Sequence, residues 1–120
     1  MIMKRITGNK IVDLSFDFAL RIITFSEILE ENRKYVVAKQ LIRCGTSIGA
    51  NVSEAQNSES KADFIHKLKI AAKEAEETEY WILLCQYSET YPFDEELLSA
   101  IIEIKKLLGS IIISSKKTIK

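Results

Sequence analysis

The chain has 120 residues, of which 47% are hydrophobic, so it can bury the core of one domain without disulfides or a structural metal. Its 17 basic and 17 acidic residues balance, which excludes an overall field that would draw the whole molecule onto nucleic acid or anionic lipid. Any charged interaction must therefore be local.

Four segments carry apolar residues every three or four positions, which is the pattern of amphipathic helices. The first helix is predicted over about residues 9–31, and its apolar arc is wider than a surface helix needs. The second is predicted over about residues 35–57. Its middle segment, CGTSIGA, is rich in small residues.

The third and fourth helices are marked by the residues at their starts. Ser60 can cap the free backbone donors of a helix over about residues 60–89, with Asp63 three residues further on in an approximate capping box. The single proline, Pro92, precedes a helix over about residues 93–117, whose first turn is acidic, as the helix dipole favours.

The connections between these helices are only a few residues long, and short loops make neighbouring helices antiparallel. The sequence therefore predicts an all-α fold, an antiparallel up-down-up-down four-helix bundle with a left-handed twist. No linker, repeat or low-complexity tract divides the chain, so we expect residues 1–120 to form a single domain.

Two segments of the predicted second and third helices carry a motif. The segments LIRCGTSIGANVSEAQ and FIHKLKIAAKEAEETEYWILLCQ hold Arg43, Ser47, Ile48, Ala50, Asn51 and Glu54, followed by Glu77, Thr78, Glu79, Tyr80 and Trp81. This arrangement resembles the signature of the four-helix-bundle family of ribosomal RNA intervening-sequence proteins, and the segment FDFALRIITFSEIL is similar to the family's first helix. Ala55 stands where a glycine often follows the glutamate, which is a departure at the end of the second helix.

The resemblance implies a protomer that assembles into a ring-like homopentamer, and it implies little about activity. Some members of the family are encoded inside intervening sequences of large-subunit ribosomal RNA genes. A related branch serves diversity-generating retroelements as accessory proteins that bind nucleic acid and a reverse transcriptase. The partners implied are therefore further copies of the chain, RNA or DNA, and a reverse transcriptase or another protein.

Polar residues form a row along one side of the second helix, at intervals of three and four. The row consists of Gln40, Arg43, Ser47, Asn51 and Glu54. One interpretation is that the row faces solvent. The other is a buried or interfacial polar network in which Arg43 pairs with Glu79 of the third helix, because a buried carboxylate needs a partner.

Four residues are candidates for a subunit interface. Gly45 and Gly49 would let another backbone approach closely, although packing within the bundle is the commoner reason for such glycines. Tyr80 and Trp81 combine a large apolar area with a polar tip, which suits an interface, although a tryptophan more often packs in a core.

Charge is divided between the two ends of the predicted bundle. One end, here called the basic end, gathers Lys4, Arg5, Lys10, Lys61, Lys67, Lys69, Lys116, Lys117 and Lys120. The opposite end gathers Glu27, Glu30, Glu31, Glu89, Asp94, Glu95 and Glu96. In a ring the basic end would repeat around a rim, so RNA or DNA binding without strong sequence preference is an alternative function. Acidic residues near the same end, such as Asp13 and Glu54, weaken that alternative.

The sequence carries no known catalytic pattern. It has one histidine, His66, and it lacks a phosphate-binding glycine loop, an HExxH motif and the ExxH motifs of di-metal bundles. We therefore predict a protein without catalytic residues, metal ligands or cofactors, which is not an enzyme.

The two cysteines and the N-terminal residues indicate the cellular compartment of the protein. Cys44 and Cys85 lie in apolar helical stretches without CxxC spacing, which is typical of buried reduced thiols. The first residues lack the continuous apolar stretch of a signal peptide. No apolar run approaches the roughly 20 residues of a transmembrane helix. We expect a cytoplasmic protein without a membrane partner.

Overall fold

A computed structural model describes residues 5–117, which form four α-helices joined by short turns. The helices are α1 (Lys10–Glu31), α2 (Tyr35–Ala55), α3 (Lys61–Tyr87) and α4 (Glu95–Lys116). This part of the chain holds no strand, so the predicted all-α fold is confirmed, and each predicted helix end lies within two residues of the observed one. No helix in the described range is long and apolar enough to cross a membrane.

Three of these helices begin at a side chain that accepts a hydrogen bond from the first turn. The bonds run from Val12 N to Asn9 Oδ1 (3.4 Å), from Asp63 N to Ser60 Oγ (3.0 Å) and from Leu97 N to Asp94 Oδ1 (3.2 Å). Each cap satisfies a backbone donor that has no partner inside its helix and contributes about 1 kcal/mol. The predicted cap at Ser60 is confirmed. α2 starts instead after a tight turn in which Arg33 adopts a φ of 62°.

Two contacts between the turns show the relative direction of the helices. At one end, Asn9 Nδ2 donates to Gln56 Oε1 over 3.2 Å, which joins the start of α1 to the end of α2. At the other end, Lys34 Nζ donates to Thr90 Oγ1 over 3.1 Å, which joins the turn before α2 to the turn before α4. Successive helices therefore run antiparallel. α1 also packs against α4, while α1 and α3 occupy diagonal corners.

The core lies between the four helices and consists of the apolar positions that recur every three or four residues. Its largest fully buried side chains are Phe18, Ile22, Leu29, Leu41, Ile48, Val52, Leu68, Ile82, Leu97, Ile101, Ile104 and Leu108. Burying one such side chain stabilises the fold by roughly 1.5–3 kcal/mol relative to leaving it in water. Cys44 and Cys85 are also buried, as predicted, and burial raises the pKa of the Cys85 thiol to about 11.

The two glycines of α2 allow close packing between α1 and α2. A Cβ atom added to Gly45 would lie 2.7 Å from Ile22 Cγ1, and one added to Gly49 would lie 3.2 Å from the Ser15 carbonyl oxygen. Both glycines thus face α1 of the same chain. Packing within the bundle, which is the commoner reason for such glycines, therefore accounts for both of them.

Candidate interaction surfaces

The polar row of α2 lies beside α3, where Arg43 makes two ion pairs. Its Nη1 is 3.5 Å from Glu74 Oε2, and its Nη2 donates to Glu77 Oε2. Glu77 Oε2 also accepts a hydrogen bond of 3.1 Å from Trp81 Nε1, so one carboxylate links α2 to the tryptophan of α3. The predicted pairing of Arg43 with Glu79 is wrong, because Glu74 and Glu77 occupy the side of α3 that faces α2.

Glu79 instead faces α4. Two residues along a helix correspond to a rotation of about 200°, so Glu79 points away from the side that holds Glu77. Glu79 Oε1 accepts a hydrogen bond of 2.5 Å from Lys105 Nζ, which is also 2.9 Å from Glu76 Oε1. The Glu79 and Lys105 side chains are only 20% and 26% exposed. The bond to Glu79, and then that to Glu76, raises the pKa of Lys105 above its usual value, so this lysine is charged at neutral pH.

The remaining residues of the α2 row make short-range contacts. Asn51 Nδ2 donates to the Ser47 carbonyl oxygen over 2.9 Å and to Ser47 Oγ over 3.2 Å. Glu54 accepts a hydrogen bond of 3.0 Å from Lys67 Nζ of α3, which raises the pKa of that lysine. The Arg43 side chain is 51% exposed. The row is therefore a half-exposed seam that holds α2 against α3.

Two exposed apolar stripes run along the helices at opposite corners of the bundle. The α1 stripe consists of Phe16, Leu20 and Ile23, which are 37%, 47% and 42% exposed. The α3 stripe consists of Tyr80, Leu84 and Tyr87, which are 58%, 38% and 82% exposed. Residues at i, i+4 and i+7 share one face of a helix, so each stripe is continuous. Because α1 and α3 are diagonal, the two stripes face in opposite directions.

Tyr80 and Trp81, the two aromatic candidates for an interface, differ in their surroundings. Tyr80 is exposed and begins the α3 stripe. Trp81 is half-buried against the core, and its ring meets that of Tyr80 edge to face with the centroids 5.8 Å apart. Packing within the bundle therefore accounts for Trp81, while Tyr80 stays a candidate for a subunit contact.

At the basic end, most of the predicted cations are exposed to solvent. The exposed residues that make no ion pair with another described residue are Arg5, Lys10, Lys61, Lys69, Lys116 and Lys117. Lys67 differs, because it is held by Glu54. Lys4 and Lys120 lie outside the described residues. Two of these exposed cations also lie over aromatic rings, Arg5 at 4.8 Å from the centre of the Phe16 ring and Lys61 at 5.6 Å from the centre of the Phe64 ring.

Asp13 adds a negative charge near the same end. Its carboxylate accepts hydrogen bonds from the Thr7 hydroxyl (2.7 Å), the Thr7 backbone N–H (2.9 Å) and the Gly8 backbone N–H (3.2 Å). The hydroxyl bond, followed by the backbone bond from Thr7, favours the ionised form and lowers the pKa of Asp13. The carboxylate therefore stays charged at neutral pH and reduces the positive potential around it.

A groove between α1 and α4, here called the α1–α4 groove, is a surface that the sequence did not indicate. Its main cavity, of about 470 Å³, lies between Leu14 and Phe18 of α1 and Ala100 and Ile104 of α4. In α1 and α4 the apolar residues recur every three or four positions, as they do in helices that pack in close contact. No sequence signal therefore marks the space between them.

His66 is exposed on α3. Within residues 5–117, no three His, Cys, Asp or Glu side chains are grouped so that they could hold a metal ion. The candidate interaction surfaces among the described residues are the two stripes, the basic end and the α1–α4 groove.

These features define a small helical-bundle protein whose candidate sites are extended surfaces. The sequence matches the family described as 23S rRNA-intervening sequence protein over residues 7–110, and the chain belongs to that family, as the motif predicted. It is 47% identical to a crystal structure described as a protein of unknown function from the S23 ribosomal protein family of Bacteroides thetaiotaomicron. That match covers 85% of this chain and 97% of the other, with a TM-score of 0.75. No curated protein matches the chain.

The structure gives a physical reason for the motif of α3 that carries the family resemblance. Glu77 bonds to α2, while Thr78 is buried and donates from Oγ1 to the Glu74 carbonyl oxygen over 2.7 Å. Glu79 bonds to α4, and Tyr80 faces outward. The four successive side chains thus point toward α2, the core, α4 and solvent. This short segment therefore connects α3 to α2 and α4, and its last residue, Tyr80, begins the α3 stripe.

Proposed function

We propose that this chain is a non-enzymatic assembly protein that forms a closed homo-oligomeric ring. The observation that carries the proposal is the pair of apolar stripes on opposite sides of the protomer. A subunit whose two association surfaces face in opposite directions contacts one neighbour through each. Such heterologous contacts form a ring when the rotation between neighbours closes, and five is the number of subunits that the family resemblance implies.

The chemistry of the two stripes supports their contact. Leu20 and Ile23 offer purely apolar surface, and the Phe16 ring beside them carries the Arg5 guanidinium 4.8 Å from its centre. Tyr80 and Tyr87 bring large rings whose hydroxyls can stay at the wet edge of an interface. A row of exposed apolar side chains on one helix face is a candidate for a protein–protein contact. Each side chain that becomes fully buried adds roughly 1.5–3 kcal/mol before the cost of association is subtracted.

The positions of the stripes along the helices constrain how neighbours meet. At the standard helical rise, the α1 stripe is centred about 14 Å from the start of α1 and the α3 stripe about 34 Å from the start of α3. Both helices start at the basic end. Neighbouring bundles that stood side by side in register would therefore not bring the stripes together, and we infer that adjacent subunits cross at an angle.

The proposal is tested by placing one carboxylate in each stripe. Leu20→Glu places a charge in the α1 stripe and Leu84→Glu places one in the α3 stripe. Each variant alone should therefore fail to form the ring, and sedimentation velocity should give a lower mass than that of the wild type. An equimolar mixture should form a dimer, because the intact α3 stripe of the first variant can still meet the intact α1 stripe of the second. The matched control is Val36→Glu, an exposed apolar residue of α2 outside both stripes, which should keep the wild-type mass.

Two results would contradict the heterologous ring. One is a mixture that contains no dimer although circular dichroism shows both variants to be folded. The other is a single-stripe variant that keeps the mass of the wild type.

A second function, nucleic-acid binding by the ring, is favoured by the exposed cations of the basic end. Lys61, Lys116 and Lys117 are exposed and make no ion pair with a described carboxylate. A ring would repeat these cations in every subunit, and weak phosphate contacts would then add up. Such binding responds steeply to salt and carries little base specificity.

This second function is tested by the triple variant Lys61→Gln, Lys116→Gln and Lys117→Gln, with a short single-stranded RNA in fluorescence anisotropy at low salt. We expect the affinity to fall by about tenfold or more, since several phosphate contacts are lost. The control variant changes three exposed lysines away from the basic end, Lys39, Lys73 and Lys106, to glutamine. Equal losses in both variants, or no RNA binding by the wild type, would remove this function and leave the assembly proposal unaffected.

A further inference from the structure

The α1–α4 groove is continuous over about four turns of α1. Three cavities form it, and a fourth, lined by Arg5, Lys10 and Asp13, adjoins the first at Leu14 and Asp17. The first and second share Arg21 and Glu96, and the second and third share Phe25 and Ile28. From Leu14 to Ile28 the groove extends for about 21 Å at the standard helical rise, which is the length of a helical segment of about 14 residues.

The floor of the groove is apolar and its rim is acidic. Leu14 and Ala100 are half-buried and Ile28 is 39% exposed, so the floor offers apolar surface. The charged residues among those described along the three cavities are Asp17, Arg21, Asp94, Glu95, Glu96 and Glu103. Arg21 lies 3.3 Å from Asp17 and neutralises it. The other carboxylates of the rim have no cationic partner among the described residues.

The needs of α4 itself explain only part of this negative charge. Asp94 caps the helix, and Glu95 and Glu96 lie in the first turn, where carboxylates offset the helix dipole. Glu103 lies about two turns further along α4, where the dipole effect has faded. The rim therefore carries negative charge that the fold of the chain does not use.

We propose that the α1–α4 groove is the docking site for a cationic amphipathic helix of a partner protein. Apolar side chains at i, i+3, i+4 and i+7 of such a helix would lie on the floor, and its lysines or arginines would meet the carboxylates of the rim. Nucleic acid does not fit, because its phosphates would face carboxylates. The charge of the groove therefore selects a basic helix.

The groove stays accessible in the proposed ring. Its α1 residues lie on the side of the helix that faces α4, whereas Phe16, Leu20 and Ile23 lie on the side that faces away from the core. A ring formed through the α1 stripe and the α3 stripe would leave one groove open on every subunit. The docking proposal holds for any number of subunits, including one.

The test uses a fluorescein-labelled amphipathic peptide of about five helical turns, with leucine on one face and lysine on the other. Its binding to the full chain, measured by anisotropy, should saturate and should weaken as salt rises. A matched peptide with glutamate in place of lysine should not bind. The double variant Glu96→Lys, Glu103→Lys should weaken binding by about tenfold or more, and Ala100→Trp, which fills the floor without changing charge, should also weaken it.

The control variant is Glu31→Lys, Glu59→Lys, which makes the same change of charge outside the groove and should alter the affinity by about twofold at most. A second readout locates the peptide. The native thiols Cys44 and Cys85 are buried, so a Ser99→Cys variant can be labelled in the groove and a Ser53→Cys variant on α2. The dye at position 99 should respond to the lysine peptide and the dye at position 53 should not.

The proposal is overturned if the lysine peptide does not bind, if both double variants lose affinity equally, or if the dye at position 53 responds as strongly as that at position 99. It is also overturned if the groove variants leave the peptide affinity unchanged but alter the sedimentation of the protein measured without peptide. In that case the occupant of the groove is a second copy of the chain.

Discussion

Helix α1 is packed tightly on one side and loosely on the other. Toward α2, a methyl group at Gly45 would lie 2.7, 2.9 and 3.0 Å from three atoms of the Ile22 side chain, so the two helices meet with no spare room. Toward α4, a cavity of about 470 Å³ remains between Phe18 and Ile104. Both sides of α1 use the same kinds of apolar side chain. The partner helices differ, because α2 presents Gly45 and Gly49 to α1, whereas a Cβ added at Gly109 of α4 would meet no atom within 4 Å.

Among the described residues, ion pairs between helices join α3 to α2 and to α4, and none joins α1 to α2. Arg43 joins α2 to α3, and Lys105 joins α4 to α3. No ion pair among the described residues joins α4 to α1. The bundle is closed around α2 and α3 and open between α1 and α4. The open side is the α1–α4 groove, which we propose as a docking site.

The largest effect is expected from the same substitution made at two glycines. Gly45→Ala should lower the free energy of unfolding by about 1–2 kcal/mol, because the overpacking against Ile22 outweighs the gain in helix propensity. Gly109→Ala on α4 should raise it by about 0.5–1 kcal/mol, because the new methyl group meets no atom within 4 Å. Urea denaturation at a fixed protein concentration measures both values. Effects of the same sign would show that α2 is packed no more tightly than α4.

A smaller effect is expected at the ion pair that anchors α4. A double-mutant cycle of Glu79→Ala with Lys105→Ala should give a coupling energy of about 1 kcal/mol, whereas Glu79→Ala with Arg43→Ala should give about zero. Because the pKa of Lys105 is raised in the folded state, its coupling should be complete from neutral pH up to about 10.5 and should disappear as the pH rises through the folded-state pKa. A larger coupling of Glu79 to Arg43 would restore the pairing that the sequence predicted.

The smallest effect is expected in the open seam. Ala100→Leu places extra methyl groups in the α1–α4 groove and should change the free energy of unfolding by less than about 0.5 kcal/mol. Ala75→Leu, at a position with no exposed surface, should cost about 1 kcal/mol through overpacking. Equal costs at the two alanines, measured by thermal denaturation, would mean that the seam between α1 and α4 is closed in solution.

The sequence predicts the elements of this fold well, because each helix carries its own information. Apolar spacing locates α1 and α2, and side chains such as Ser60 and Asp94 mark where helices begin. The motif of α2 and α3 was sufficient to indicate the family.

Contacts between helices were harder to predict. The partner of Glu79 depends on whether its side of α3 turns toward α2 or α4, and one residue changes that direction by about 100°. The α1–α4 groove depends on the distance between two helices, which apolar spacing does not encode. The roles of Gly45 and Gly49 depend on Ile22 and Ser15 of α1, which lie against them and are distant in the sequence.

Self-association through the two stripes is tested most directly by the mass of the wild-type protein in solution. Sedimentation equilibrium at micromolar concentration should give a multiple of the 13.7 kDa subunit mass, five times that value for the proposed ring. A mass of 13.7 kDa at that concentration would mean that the α1 stripe and the α3 stripe both face water in the native protein, and the ring would be excluded.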